Sequence, residues 1–223
     1  LKPPEGFDLI VTKDMIVGDV HFRASDQAHD IAWKALAVNI SDLAAKAAQP
    51  WLYFLGLGLS GQENEDWLFH FSSGLREAQE AFGCTLSGGD TVNCPGQLVL
   101  SVTAVGLVPR AQMLKRSHAQ VGDRIYVSGT LGDAALALKY GDAASEFLKQ
   151  RYLKPEPRTD LGAALRGLAH GCADISDGLI ADLDHICKAS HVGARLSWDD
   201  IPLSHEARQT GLSKQDLRAI AAT

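Results

Sequence analysis

Apolar positions along the chain recur with two periods. Phe7 to Val11 is a short β-type run after a Pro/Gly turn, and it leads into Thr12-Lys13-Asp14. From Ile31 to Ala48 the spacing is helical: Ile31, Ala35, Val38 and Asp42 share one face, and Pro50 ends the pattern. Trp51 to Leu59 predicts a buried strand. Trp67, Phe71, Leu75, Ala78 and Phe82 return every three or four residues and predict an amphipathic helix, with Gly83 as its C-terminal cap. Cys84 to Leu86 predicts a short strand opening into a loop, Ser87-Gly88-Gly89-Asp90-Thr91. Leu98 to Val108 is the longest predicted strand, closed by Pro109.

Polar and basic residues interrupt the pattern between Pro109 and Gly122, which marks a domain boundary near residue 110. Beyond it, Arg124 to Ser128 predicts a strand, then a glycine loop through Asp133 and a helix from Ala134 to Tyr140. Helices are also predicted at Leu161 to Ala169 and Leu179 to Ala189, a strand and its exit over 191–203, and a helix start over 213–222. Strands alternating with helices in two blocks give an α/β (α+β) class, with mixed sheets flanked by helices in domains of residues 1–110 and 111–223.

Composition narrows the function. In 223 residues, 21 Lys plus Arg stand against 27 Asp plus Glu, a net charge of −6, so no basic footprint for nucleic acid is expected. No apolar run reaches the roughly 18–20 residues of a membrane span. The four cysteines lack C-x-x-C spacing and read as reduced, buried thiols of a cytoplasmic protein. The N-terminus has no signal-peptide form, and without an initiator Met the chain reads as a segment of a longer protein.

The aspartates carry the chemistry. Asp14 follows an apolar strand, and Asp42 lies in an otherwise apolar helix. Asp90 follows two glycines, Asp133 stands at a helix entry, and Asp174 and Asp177 lie in Ala-Asp-Ile-Ser-Asp-Gly before another helix. Taken singly, each has an ordinary reading: Asp133 or Asp177 as a helix N-cap, Asp90 or Asp14 as a turn residue, Asp42 as an ion-pair partner. Taken together, carboxylates in partly buried surroundings repel one another unless hard cations such as Mg²⁺ intervene. The glycines of 87–91 and 128–133 would let backbone N–H groups approach phosphate, although neither stretch is a P-loop. No D-x-[DN]-x-[DN]-G calcium loop occurs.

Several stretches in order match a known family. They are Thr12-Lys13-Asp14-Met15-Ile16-Val17-Gly18-Asp19-Val20-His21-Phe22, Lys34 through Ala45, Ser87-Gly88-Gly89-Asp90-Thr91, Arg116-Ser117, Gly122 through Gly129, Lys154-Pro155-Glu156-Pro157-Arg158 and Asp174 through Leu179. In these the chain resembles the thiamine-monophosphate kinase family of the PurM-like (aminoimidazole-ribonucleotide-synthetase-like) superfamily. The resemblance implies ATP-dependent phosphorylation of thiamine phosphate to thiamine diphosphate, with several Mg²⁺ ions held by aspartates of both domains. It implies Thr12, Asp14, Asp42, Asp90, Asp174 and Asp177 as metal ligands. Gly89, Asp90, Arg116 and Ser176 would contact ATP, and His21 the substrate. It also implies a homodimer formed through the first domain, which would carry the ATP and Mg²⁺ site. Lys13 departs from the family, which has Thr or Ser there, and an ammonium cannot ligate Mg²⁺. The family's Gly-Asp-Asp motif before the first strand and its downstream Gly-Gly-Glu-Asp-like motif do not occur in this sequence.

No general base is expected, because a phosphate monoester with a second pKa near ~6 is already anionic at neutral pH. The alternatives are another ATP-using member of the superfamily, such as an aminoimidazole ribonucleotide or selenophosphate synthetase, and a non-catalytic Mg-nucleotide-binding protein.

Overall fold

The computed structural model describes residues 2–222. Strands β1 (Phe7–Val17), β2 (Gln49–Leu59), β3 (Thr85–Asn93) and β4 (Val99–Pro109) form one mixed sheet in the order β1-β4-β2-β3. β4 lies antiparallel to both β1 and β2, whereas β2 and β3 are parallel. A parallel pair needs a crossover, and helix α2 (Glu65–Phe82) provides it.

Helix α1 (Ala28–Ala45) is buried on most of its circumference, including Lys34 and Asn39. A helix enclosed on several sides is apolar nearly all round, and this one packs on the sheet, on α2 and on the short helix α5 (Thr159–Ala164). Glycines set the distances. A Cβ on Gly74 of α2 would lie 2.2 Å from the His29 carbonyl oxygen, and one on Gly162 of α5 would lie 2.2 Å from that of Ala44. The core between helices and sheet gathers Ile31, Leu36, Ile40, Tyr53, Leu100 and Val108. Of the four cysteines expected to be buried, Cys84 alone is, in this same core, where burial pushes its thiol up to about 12; Cys94, Cys172 and Cys187 are half-buried. As its spacing predicts, α2 ends on Gly83 in the left-handed region, whose N–H bonds to Gln79.

The chain divides into two compact units. The first comprises 1–113 and 153–168, the second 114–152 and 169–223. The return of 153–168 to the first unit has local causes. Trp33 Nε1 donates to the Pro155 carbonyl at 3.1 Å, and the Lys154 ammonium lies 5.1 Å from the centroid of the Trp33 ring. Lys154 also pairs with Glu77 at 3.1 Å and Asp30 at 3.8 Å.

The second unit is helical: α3 (Asp133–Tyr140), α4 (Glu146–Leu153, ending at the border), α6 (Leu179–Ser190), α7 (His205–Gln209) and α8 (Lys214–Ala222). Several expectations are corrected. β1 runs six residues past Val11, so Thr12 and Asp14 are strand residues, not a strand exit. Ser87 to Thr91 lies inside β3, not in a loop. Its glycines hid the strand by breaking the apolar alternation. Neither 124–128 nor 191–203 is a strand, and residues 198–200 form a 3-10 turn. A strand needs a ladder of bonds to a neighbour; among the described residues no ladder reaches 124–128, and 191–203 receives a backbone bond to Pro202 from the Leu131 N–H without forming one. The helix expected over 161–169 stops at Ala164, before Gly167 with its φ of +73°. Helices α4 and α7 were not foreseen.

Candidate active site

Pleating decides which residues of β1 face the helices. Val11, Lys13 and Met15 are exposed on the outer face, while Thr12, Asp14 and Ile16 alternate toward α1. Two polar links tie strand to helix there. Thr12 Oγ1 donates to Asp42 Oδ2 at 2.5 Å, and the Asp14 N–H donates to Asn39 Oδ1 at 3.0 Å. Asn39, 1 % exposed, is oriented by donating its Nδ2 to the Ala35 carbonyl at 3.0 Å. Asn39 and Asp42 are three apart, hence on one side of α1. Thr12, Asp14 and Asp42 are thereby brought together, and the partner of Asp42 is a hydroxyl, not a basic residue. Lys13 points the other way and donates to the Ser101 hydroxyl on β4. Its ammonium therefore does not compete for the Thr12–Asp42 side of the strand.

Asp90 is not gathered with these residues. It stands exposed on β3, three strand spacings from β1, or about 14 Å. Its Oδ1 accepts the Thr91 N–H at 2.9 Å. Among the described residues, Asp14, Asp42 and Asp90 do not form a group whose carboxylate oxygens all lie within 4.8 Å of one another. Gly89 is required by its neighbour, since a Cβ there would lie 2.0 Å from the Leu55 carbonyl oxygen.

His21 follows β1 in a turn around Asp19, whose φ is +59°. His21 Nδ1 accepts the Val17 N–H at 3.1 Å, which leaves the neutral ring its proton on Nε2. Lys34, 7 % exposed, points its ammonium at the His21 carbonyl, 3.5 Å away. Burial pushes that ammonium down to about 8. Asp26 and Asp30 oppose the shift and Arg23 adds to it.

In the second unit, Asp174 is half-buried, while Ser176 and Asp177 are exposed just before α6. The N-cap of α6 is Gly178, with φ +111°, and not Asp177. Asp182, only 3 % exposed, accepts the N–H groups of Ser176 and Asp177 on one oxygen, at 2.9 and 3.1 Å. Ligand atoms of Asp177, Asp182 and His185 lie within 4.8 Å of one another. Among the described residues, the buried Nε of Arg116 has no hydrogen-bond partner. Asp133 is a buried first-turn residue of α3, whose N-cap is Gly132. It accepts the hydroxyls of Thr130 at 2.5 Å and Ser204 at 2.6 Å, so it ties two loops of this unit to the start of α3. Asn39, Asp182 and His185 were missed by sequence reasoning. For Asp182 and His185 the available signal was their i, i+3 spacing behind Asp177-Gly178.

Residues 1–108 match the model of the AIR synthase related protein N-terminal domain, and residues 120–219 that of the C-terminal domain. The thiamine-monophosphate kinase of Caulobacter vibrioides is 43 % identical over 207 residues, covering 91 % of this chain and 59 % of the relative. The chain thus spans about six-tenths of that relative's length. The crystal structure of thiamine-monophosphate kinase from Stenotrophomonas maltophilia K279a is similar with a TM-score of 0.93 and 44 % identity, over 100 % of this chain and 73 % of that one. A structure of AaThiL complexed with AMPPCP and TMP gives a TM-score of 0.90 at 30 % identity, over 99 % and 73 %. With both domain models matched in order and identities above 40 %, the chain belongs to the thiamine-monophosphate kinase family of AIR synthase related proteins.

Proposed function

We propose that this protein transfers the γ-phosphoryl group of ATP to thiamine phosphate, forming thiamine diphosphate by direct in-line displacement with Mg²⁺. The observation that carries the reading is the likeness, over 99 % of this chain, to a relative described with an ATP analogue and TMP bound.

The chain's own groups suit that chemistry. Thr12, Asp14 and Asp42 offer oxygen donors on one side of the first unit's sheet, the donor type that hard divalent cations take. Asp90 on β3 serves the same unit, with Gly89 letting the backbone approach closely. In the second unit, Asp174 and Asp177 are the candidate ligands, and Ser176 and Arg116 the phosphate contacts. The Arg116 guanidinium has the fixed charge and fork of donors that suit a phosphate anion. Mg²⁺ bound by these carboxylates would supply positive charge against the phosphates. With its Nδ1 occupied by the Val17 N–H, His21 would offer an Nε2–H donor to the substrate phosphate. No side chain need remove a proton, since the acceptor oxygen is already ionised at neutral pH. Arg116 would stabilise charge on the transferring group and help align it. The exposed outer face of β1 would pair with a second copy of the chain, giving a homodimer.

The test is ADP release with ATP, Mg²⁺ and each candidate acceptor in turn. Thiamine phosphate should stimulate release and yield thiamine diphosphate. Nucleotide binding with no product would reject the kinase reading, and a labelled phosphoenzyme formed from ATP alone would reject direct transfer.

A further inference from the structure

Helix α6 carries a hydrogen-bonding side chain near each end, and each holds a different loop. Near its N-terminus, Asp182 gathers the N–H groups of Ser176 and Asp177 on its Oδ2. At its C-terminus, Ser190 Oγ donates to the Arg116 carbonyl at 2.7 Å and accepts the Ala119 N–H at 3.1 Å. The same loop is held from the other side, where the Cys172 N–H bonds to the Lys115 carbonyl at 3.1 Å. The two residues are eight positions apart on the helix, a rigid span of about 12 Å.

These contacts go beyond what helix capping requires. The N-cap of α6 is Gly178, and Asp182 reaches back past it to residues outside the helix. At 3 % exposure its carboxylate is costly to bury unless its bonds are made, and the two it makes go to the turn bearing Ser176 and Asp177. Ser190 likewise uses its hydroxyl as donor and acceptor on one loop, fixing the backbone at Arg116 while leaving the Nε of that residue unpartnered.

We propose that Asp182 and Ser190 are positioning residues, and that α6 is the spacer that fixes the Arg116 loop and the Ser176–Asp177 turn at a set separation for one nucleotide polyphosphate. The assignment rests on the kinase reading above. Neither residue touches phosphate. Each pre-orients a group that does, so the polyphosphate meets donors already in place.

The experiment compares Ser190→Ala, Ser190→Thr and Asp182→Asn with the unsubstituted protein. It measures titration with a non-hydrolysable ATP analogue and Mg²⁺, the KM for ATP and for thiamine phosphate, and thermal midpoints. Ser190→Ala and Asp182→Asn should each raise the analogue Kd and the KM for ATP about tenfold, with the KM for thiamine phosphate nearly unchanged. Ser190→Thr, which keeps the hydroxyl, should restore binding. A lowered thermal midpoint with unchanged analogue Kd and ATP KM would overturn the positioning role and leave a structural one. If Asp182→Asn fails to fold, the half-buried Ser190 pair still decides. No analogue binding by the unsubstituted protein would instead overturn the kinase reading, and this proposal with it.

Discussion

At residue scale, the polar links between β1 and α1 are the feature with the clearest consequences. Asp42 is held by Thr12 from a strand thirty positions earlier, and Asn39 receives the Asp14 N–H. If Asp42 serves as a metal ligand, Asp42→Ala removes a carboxylate and one exchangeable hydrogen bond, without opening a large cavity. Turnover should fall below detection, while the urea midpoint changes by no more than about 1 kcal/mol equivalent. Retained turnover would count against the metal assignment. Lys34 makes a separate prediction. Burial lowers its ammonium from the ordinary 10.5 to about 8. Below pH 8 it is charged in both folded and unfolded chains, and its desolvation cost opposes folding. Between pH 8 and 10.5 the unfolded chain holds the proton more tightly, so this group's contribution to stability rises with pH. From pH 7 to 10 the protein should gain about 2 kcal/mol relative to Lys34→Met, read from urea unfolding of both at each pH. An equal response in the two proteins would refute the assignment. These residue-level contacts were only partly legible. The motif carrying Asn39 and Asp42 was visible, but nothing in it says that Asn39 takes a backbone N–H while Asp42 takes a hydroxyl.

At the scale of elements, glycine sets how closely α1 can be packed. Gly74 places α2 against the His29 backbone, leaving no room for a methyl group. Alanine has the better helix propensity by about 1 kcal/mol, so in an exposed helix Gly74→Ala would stabilise. Here overpacking dominates, and the substitution should cost about 2 kcal/mol net by urea unfolding. A stabilised variant would show that the helices separate freely. The regular elements with strong periodicity were legible: α2 with its Gly83 cap, β2, β4 and most of α1. Those that escaped share a cause. β3 holds Gly88 and Gly89 where apolar side chains would signal a strand, and its position is fixed by pairing with β2 rather than by its own pattern. Over 124–128 the reverse holds: Ile125 and Val127 alternate as in a strand, yet no described neighbour pairs with them. Periodicity reports which faces are apolar, and pairing depends on what the rest of the chain supplies.

At the scale of the whole molecule, the sequence showed two blocks but not the return of 153–168 to the first unit. That return depends on Trp33 meeting Pro155 and Lys154, more than a hundred residues apart, a contact no local window contains. The spread of the aspartates was equally hidden. Spacing did not reveal that β1 and β3 are the two edges of the sheet, which puts Asp90 far from Thr12 and Asp42 while all three share one unit. The sheet's outer face bears on assembly. On β1, Val11 is 62 % exposed and Met15 51 %, with Lys13 between them bonded to Ser101. Apolar side chains in a row on a strand face are costly to leave in water, and a two-fold pairing would cover the same row on both copies. Val11→Asp with Met15→Asp would bring four carboxylates into such an interface, where their desolvation and mutual repulsion oppose closure. Sedimentation velocity should then show a dimer for the unsubstituted protein and a monomer for the double variant. The helical circular dichroism should be unchanged, since neither side chain faces α1. A monomer in both samples, or a dimer in both, would exclude this face as the contact between copies.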